Sequence, residues 1–293
     1  LDRSCGVYRA DLATLALEEL APPVHALAGR DIRHFQIEGP HGSLPYRIMR
    51  KASTSLDGSA PVIIFGYGGF NIPQIPHYNS MAAAWTELGG IWVHAHLRGG
   101  GERDTAFWQD GRMHRKQATY DDAFAIIEDL QARGIASPER TGIFGTSNGG
   151  LLVGATVTQR PDLIRAAVAQ VPLLDLIQCR KDPASYNTVM IDYGDPNDPD
   201  DAATMLAYSP YHNVRTGVRY PALLGDAGAD DIMTPPRHSR EMAAAVDAAT
   251  GSGHRVRLRV RDGAGHNMMT SALHVDRDTE ELTFLWEELT RHM

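Results

Sequence analysis

Hydrophobic positions along this chain recur with two periods, and the two alternate. Residues 32–39, IRHFQIEG, place apolar and polar side chains in turn, as a half-buried strand does, and LPYRIMRK (44–51) reads as its hairpin partner across PHGS. From about residue 60 the strand patterns are short and mostly apolar: PVIIFGYGGF (61–70), GGIWVHAHLRGGG (89–101), TGIFG (141–145), IRAAVAQVPLLDL (164–176), YPALLGDAG (220–228) and RVRLRVRDGAG (255–265). Unbroken apolar runs suit strands buried on both faces. Helical spacing appears between them. YDDAFAIIEDLQARG (120–134) carries acids in its expected first turn and Gly134 at its end, and GLLVGATVTQRP closes before Pro161. PRHSREMAAAVDAAT (236–250) and the amphipathic RDTEELTFLWEELTRH (277–292) follow. Strands alternating with helices predict an α/β fold whose mostly parallel sheet has helices on both faces. Residues 1–30 read two ways. DLATLALEEL is a helix on propensity, while VYRADLATLALEEL is equally two short strands about a turn.

Composition narrows the partners. The chain has 293 residues, 43% hydrophobic and 22% charged, enough for one large domain of globular type. A formal charge of -8, with no dense Lys/Arg run, argues against a nucleic-acid surface. No apolar stretch approaches the roughly 18 residues of a membrane span, and the first residues carry no signal-peptide pattern, so no membrane partner is expected. They also lack an initiator Met, and the expectation is a chain trimmed from something longer. Two cysteines, Cys5 and Cys179, make no disulfide framework; they fit a reducing compartment, favouring a cytoplasmic over a secreted location.

The candidate chemistry sits at GIFGTSNGGLLVG (142–154), where one serine stands among glycines between a strand and a helix. In Gly-x-Ser-x-Gly at such a junction the serine occupies a sharp, strained turn, and glycines spare it steric conflict. Ser147 would then stand above the carboxyl edge of the sheet, with the Asn148 amide where an oxyanion forms. The bare motif also occurs in glycine-rich turns whose serine is incidental. A serine nucleophile needs a base oriented by a carboxylate, and in this arrangement acid and histidine follow in loops after later strands. The loop after PALLG offers Asp226, Asp230 and Asp231; the loop after RVRLRV offers His266, flanked by Ala264 and Gly265. Other groupings are weaker. His94 and His96 of HAH have no third ligand at a suggestive spacing, so no metal is expected. RGGGE (98–102) lacks a phosphate-loop pattern and reads as a tight loop beside the site's rim. Asp121 and Asp122 read as helix caps, and GRMHRKQ (111–117) as a solvated loop.

GTSNGGLL followed by QRPDL, together with GYGGFN, LRGGGE, DYG, and DD before TPP, resembles the catalytic domain of the prolyl oligopeptidase family of serine peptidases, over roughly residues 32–293. The resemblance implies an α/β-hydrolase domain at 31–293, with 1–30 as the remnant of a preceding domain and no β-propeller in this chain. It implies Ser147 as nucleophile, His266 as general base and the first aspartate of the pair, Asp230, as its orienting acid. Tyr67 would join the Asn148 amide in the oxyanion hole, and Phe70 and Tyr193 would line the pocket before the scissile bond. Two positions depart from the prolyl-specific pattern. Val189 stands where a tryptophan stacks on proline, and Ile232 stands where an arginine follows the aspartate pair. No cofactor or metal is implied. The expected substrate is a peptide, with a short or medium acyl ester as the alternative, and a silent binding module is the reading from another class. Homo-oligomerisation is one way to cover a face that a propeller would otherwise occupy.

Overall fold

The computed structural model describes residues 6–23, 27–75, 77–267 and 269–291. Cys5 and the end of the last predicted helix, His292, lie outside the described residues. Residues 7–21 take the two-strand form: β1 (Val7–Ala10) pairs antiparallel with β2 (Leu17–Ala21), apart from the main sheet. The predicted hairpin is β3 (Arg30–Gly39) and β4 (Gly42–Lys51), which pair antiparallel along their whole length across a turn in which Gly42 has φ +103.

The remaining strands are β5 (Val62–Phe65), β6 (Ile91–Ala95), β7 (Thr141–Thr146), β8 (Ala166–Gln170), β9 (Ala222–Gly228) and β10 (Val256–Arg261). They join the hairpin in one eight-stranded sheet ordered β10-β9-β8-β7-β5-β6-β4-β3, parallel from β6 to β10. The central strands β7, β8 and β9 are almost wholly buried, as their apolar runs require.

Helices cover both faces. On one, α1 (Ser80–Glu87) and the C-terminal helix, Ser271–Thr290, pack Trp85, Leu282, Phe284 and Leu285 against Ile63, Phe144 and Val168. On the other lie α3 (Gln117–Ala132), α4 (Asn148–Gln159) and α7 (Arg237–Ala249), which bury Ile126, Leu152, Val157 and Met242. Four helices have no counterpart in the periodicity: α1, α2 (Thr105–Gln109), α5 (Pro183–Asp192) and α6 (Pro199–Tyr208). The last helix, α8, starts six residues before its predicted position, capped by the Thr270 side chain.

α3 also starts earlier than its pattern suggested. Asp121 and Asp122 therefore sit inside the helix instead of capping it: Asp122 is fully buried against Arg98, and Asp121 pairs with His41 at 2.8 Å. Cys179 is fully buried, and burial pushes its thiol up to about 12.

Candidate active site

β7 ends at Thr146 and α4 begins at Asn148, so Ser147 forms the whole connection, with φ 59 and ψ -115. A positive φ is costly for any residue with a Cβ. The turn is held by its neighbours: the Ser147 amide donates to Gln170 O at 2.8 Å, and Leu151 N donates to Ser147 O at 3.1 Å. The flanking glycines are there for space. A Cβ on Gly145 would stand 2.2 Å from Gly149 O, and one on Gly149 would stand 2.7 Å from Gly66 O.

The loop after β10 returns His266 to this turn. Its Nε2 lies 3.0 Å from Ser147 Oγ, and its Nδ1 lies 2.8 Å from Asp231 Oδ2. The carboxylate on the imidazole is thus Asp231 and not the expected Asp230. After β9 the backbone turns at Gly228 to Asp231, and this turn leaves Asp230 facing solvent while Asp231 is buried to 3% exposure. Asp231 Oδ1 accepts from the Met233 and Thr234 amides, both at 2.9 Å, and Thr234 Oγ1 lies 2.8 Å from Oδ2. Burial alone would raise the Asp231 carboxyl. The His266 bond and the Thr234 amide outweigh it and hold the group below its ordinary value, as a carboxylate.

Tyr67, after β5, directs its phenol to the Ser147 hydroxyl. Burial raises the Tyr67 pKa more than that contact lowers it, so the phenol stays protonated and able to donate. The Asn148 amide heads the first turn of α4, where no intrahelical carbonyl is available to it. The Asn148 side chain looks the other way, donating to Tyr67 O and accepting from the Tyr193 hydroxyl.

A small pocket opens beside Ser147. It is lined by Phe70, Leu173, Val189, Tyr193 and Met233, with Ser185 and Thr188 on its polar side. Phe70 and Tyr193 meet edge to face, 5.7 Å between centroids. Val189 is fully buried in this wall. Ile232 is 73% exposed and does not line this pocket, where Met233 stands instead.

Asp231 was among the three acids the sequence offered, but the resemblance favoured its neighbour; Met233, Thr234 and the α5 residues Ser185 and Thr188 were missed. The sequence also suggested a solvated loop at 111–117, whereas Lys116 is fully buried and pairs with Asp192 at 2.8 Å. α3 begins at Gln117, three residues before its pattern suggested, which places Lys116 at a helix start. His94 is buried and His96 half-buried, 5.4 Å between ring centroids, and desolvation lowers them to about 3 and about 4. RGGGE is bonded to the segment that follows the pocket residue Phe70. Gly99 O accepts from Asn71 N at 3.0 Å, and Glu102 accepts from Gln74 N at 3.2 Å, tying this loop to the segment after Phe70. Among the described residues, no group of three or more His, Cys, Asp or Glu could hold a metal, and no helix is long and apolar enough to cross a membrane.

The sequence pattern of the prolyl oligopeptidase family matches residues 76–292. The chain is 38% identical over 242 residues to an uncharacterized peptidase, y4nA, of Sinorhizobium fredii, covering 81% of this chain and 33% of that protein. It is 35% identical over 240 residues to a prolyl endopeptidase of Elizabethkingia miricola, covering 82% of this chain and 34% of the relative. The chain thus spans about a third of the length of these relatives. A solved structure from a study of two prolyl endopeptidases superposes with a TM-score of 0.92 at 34% identity, over 98% of this chain and 43% of that one. Prolyl oligopeptidase B of Galerina marginata gives 0.92 at 26% identity, over 99% of this chain and 43% of its own.

Proposed function

The chain belongs to the prolyl oligopeptidase family, and on that premise we propose that it is a serine hydrolase cleaving peptide or related acyl bonds through an acyl-enzyme. The observation that carries this reading is the line from Ser147 Oγ through His266 to Asp231, spaced at 3.0 and 2.8 Å on a strained strand-to-helix turn. His266 Nε2 takes the Ser147 proton as Oγ bonds to the substrate carbonyl carbon, and the carbonyl π pair moves to oxygen. Asp231 holds the Nδ1 proton and balances the imidazolium charge. The Tyr67 phenol and Asn148 amide donate to the oxyanion. Collapse expels the leaving group, which takes the proton from His266. Water then repeats the sequence on the acyl-enzyme and releases the acid.

The direct test is Ser147→Ala in the full-length protein. It should abolish labelling by a fluorophosphonate probe and cost on the order of 10⁴–10⁶ in turnover, because triad members act as a unit. A variant retaining a tenth of the activity would overturn the assignment.

The pocket favours relaxed specificity. Val189 supplies no aromatic face, and an aromatic pair is worth about 0.5–1.5 kcal/mol. The resemblance puts the arginine two residues after the acid. Counted from Asp231, that residue is Met233, which cannot supply a charge-assisted hydrogen bond of roughly 1.5–3 kcal/mol. Cleavage after proline should therefore be weak, and esters of short or medium acyl groups should be hydrolysed readily. An ester is intrinsically the easier substrate, so the deciding measurement is a ratio. Val189→Trp with Met233→Arg should raise kcat/KM for a blocked glycyl-prolyl anilide relative to p-nitrophenyl butyrate. An unchanged ratio would show that these two positions do not set specificity.

A further inference from the structure

We propose that Lys116, acting with Asp192, is a positioning residue that fixes the oxyanion hole by clamping the backbone of Gly68–Phe70. The proposal rests on the reading of Tyr67 as an oxyanion donor. Both side chains are wholly inaccessible to solvent. Lys116 Nζ donates to Asp192 Oδ2 at 2.8 Å and to Gly68 O at 2.7 Å, and Asp192 Oδ1 accepts from the Phe70 amide at 3.1 Å. Apart from their mutual bond, each side-chain hydrogen bond of the pair among the described residues therefore goes to one short stretch of backbone, directly after Tyr67.

That stretch cannot hold its shape unaided. Gly68, Phe70 and Asn71 have φ of 65, 58 and 54, so two consecutive residues with a Cβ stand in the left-handed region. The conformation is over-determined from outside. Asn148 holds Tyr67 O, Lys116 holds Gly68 O, and Asp192 holds Phe70 N. Thr119, in the first turn of α3, closes over Gly68, where a Cβ would stand 2.4 Å from Thr119 Cγ2.

A buried ion pair is a poor source of stability, since burying two charges offsets most of their attraction. Its geometric effect is more specific. The lysine sits at the start of α3 and the aspartate at the end of α5, and α5 contributes Val189 to the pocket. Tyr193, the next residue, lies under the ammonium at 5.2 Å and bonds the Asn148 side chain. One ion pair thus ties together the Tyr67 loop, the pocket helix and the residue whose amide completes the hole.

A double-mutant cycle in the full-length protein tests this, using Lys116→Met, Tyr67→Phe and their combination, with kcat and KM measured on p-nitrophenyl butyrate. Removing one oxyanion donor costs about 10²–10³ in kcat, so a loosened donor should cost about tenfold or more with KM little changed. If Lys116 acts through Tyr67, Lys116→Met should cost less than about threefold in the Tyr67→Phe background. Equal costs in both backgrounds, or an effect on KM alone, would overturn the proposal while leaving Tyr67 in its role. An unchanged kcat for Tyr67→Phe would overturn the oxyanion reading and the proposal together. If circular dichroism shows Lys116→Met unfolded, Asp192→Asn, which keeps the side-chain shape and the lysine, enters the same cycle and is read by the same outcomes.

Discussion

Asp231 accepts four hydrogen bonds, from His266 Nδ1, the Thr234 hydroxyl and the Met233 and Thr234 amides. An asparagine there keeps the shape, but it loses the charge that balances the imidazolium and presents an amide hydrogen where an acceptor is needed. Asp231→Asn should lower kcat on the order of 10⁴, as in other serine triads. Asp230→Asn should change it by no more than a few-fold, because Asp230 is exposed. Equal losses from the two, measured as kcat on one substrate, would contradict the assignment. Ser147 and His266 were legible in the sequence because a strand-to-helix turn and a late loop single them out. The choice between two adjacent aspartates was not legible. It depends on how many residues the turn after Gly228 takes, and neither side chain differs in kind. The same single-residue shift moved the pocket position from Ile232 to Met233.

The elements that carry the site differ in how strongly the sequence marks them. β5, β7, β8 and β9 are fixed by apolar runs that only a doubly covered sheet can bury. α5 has no such stripe: PASYNTVMID buries Ser185, Val189 and Asp192 on one helical face, and only Val189 of the three is apolar. α4 is legible but carries glycines that a helix alone would not select. On propensity, Gly149→Ala should stabilise a helix by up to about 1 kcal/mol. The new Cβ, however, would stand 2.7 Å from Gly66 O, a backbone atom. Such overpacking typically costs about 1–3 kcal/mol, so a net loss is expected. Relief requires moving Gly66, and Tyr67 is the next residue. Gly149→Ala should therefore lower both the melting temperature and kcat. A variant as stable and active as wild type would mean that β5 and α4 slide apart freely, against the tight packing of the turn.

At the scale of the whole molecule, burial sets opposing pH dependences. His94, His96 and His238 are lowered to about 3, 4 and 4, so the unfolded chain binds more protons than the folded one between those values and the ordinary 6.5. Their contribution to stability rises with pH across that window. Glu102 works the other way. Burial raises it from 4.5 to about 7 against its bonds to backbone amides and the pull of Arg47, so the folded chain holds the proton there. Its contribution is fully present below about 4.5 and is lost as pH rises to about 7. The Glu102 side chain closes over Gly100, where a Cβ would stand 2.0 Å from Oε2, and that oxygen is buried without a hydrogen-bond partner among the described residues. The wild-type melting profile mixes these contributions, so only a difference between variants isolates one. Glu102→Gln mimics the protonated acid. It should match wild type in melting temperature below about pH 4.5 and exceed it increasingly up to about pH 7, beyond which the gain levels off. A difference independent of pH would show that the Glu102 carboxyl titrates as a solvated acid and that the rim loop is open to water, and one that narrows as pH rises would show that folding favours the carboxylate instead.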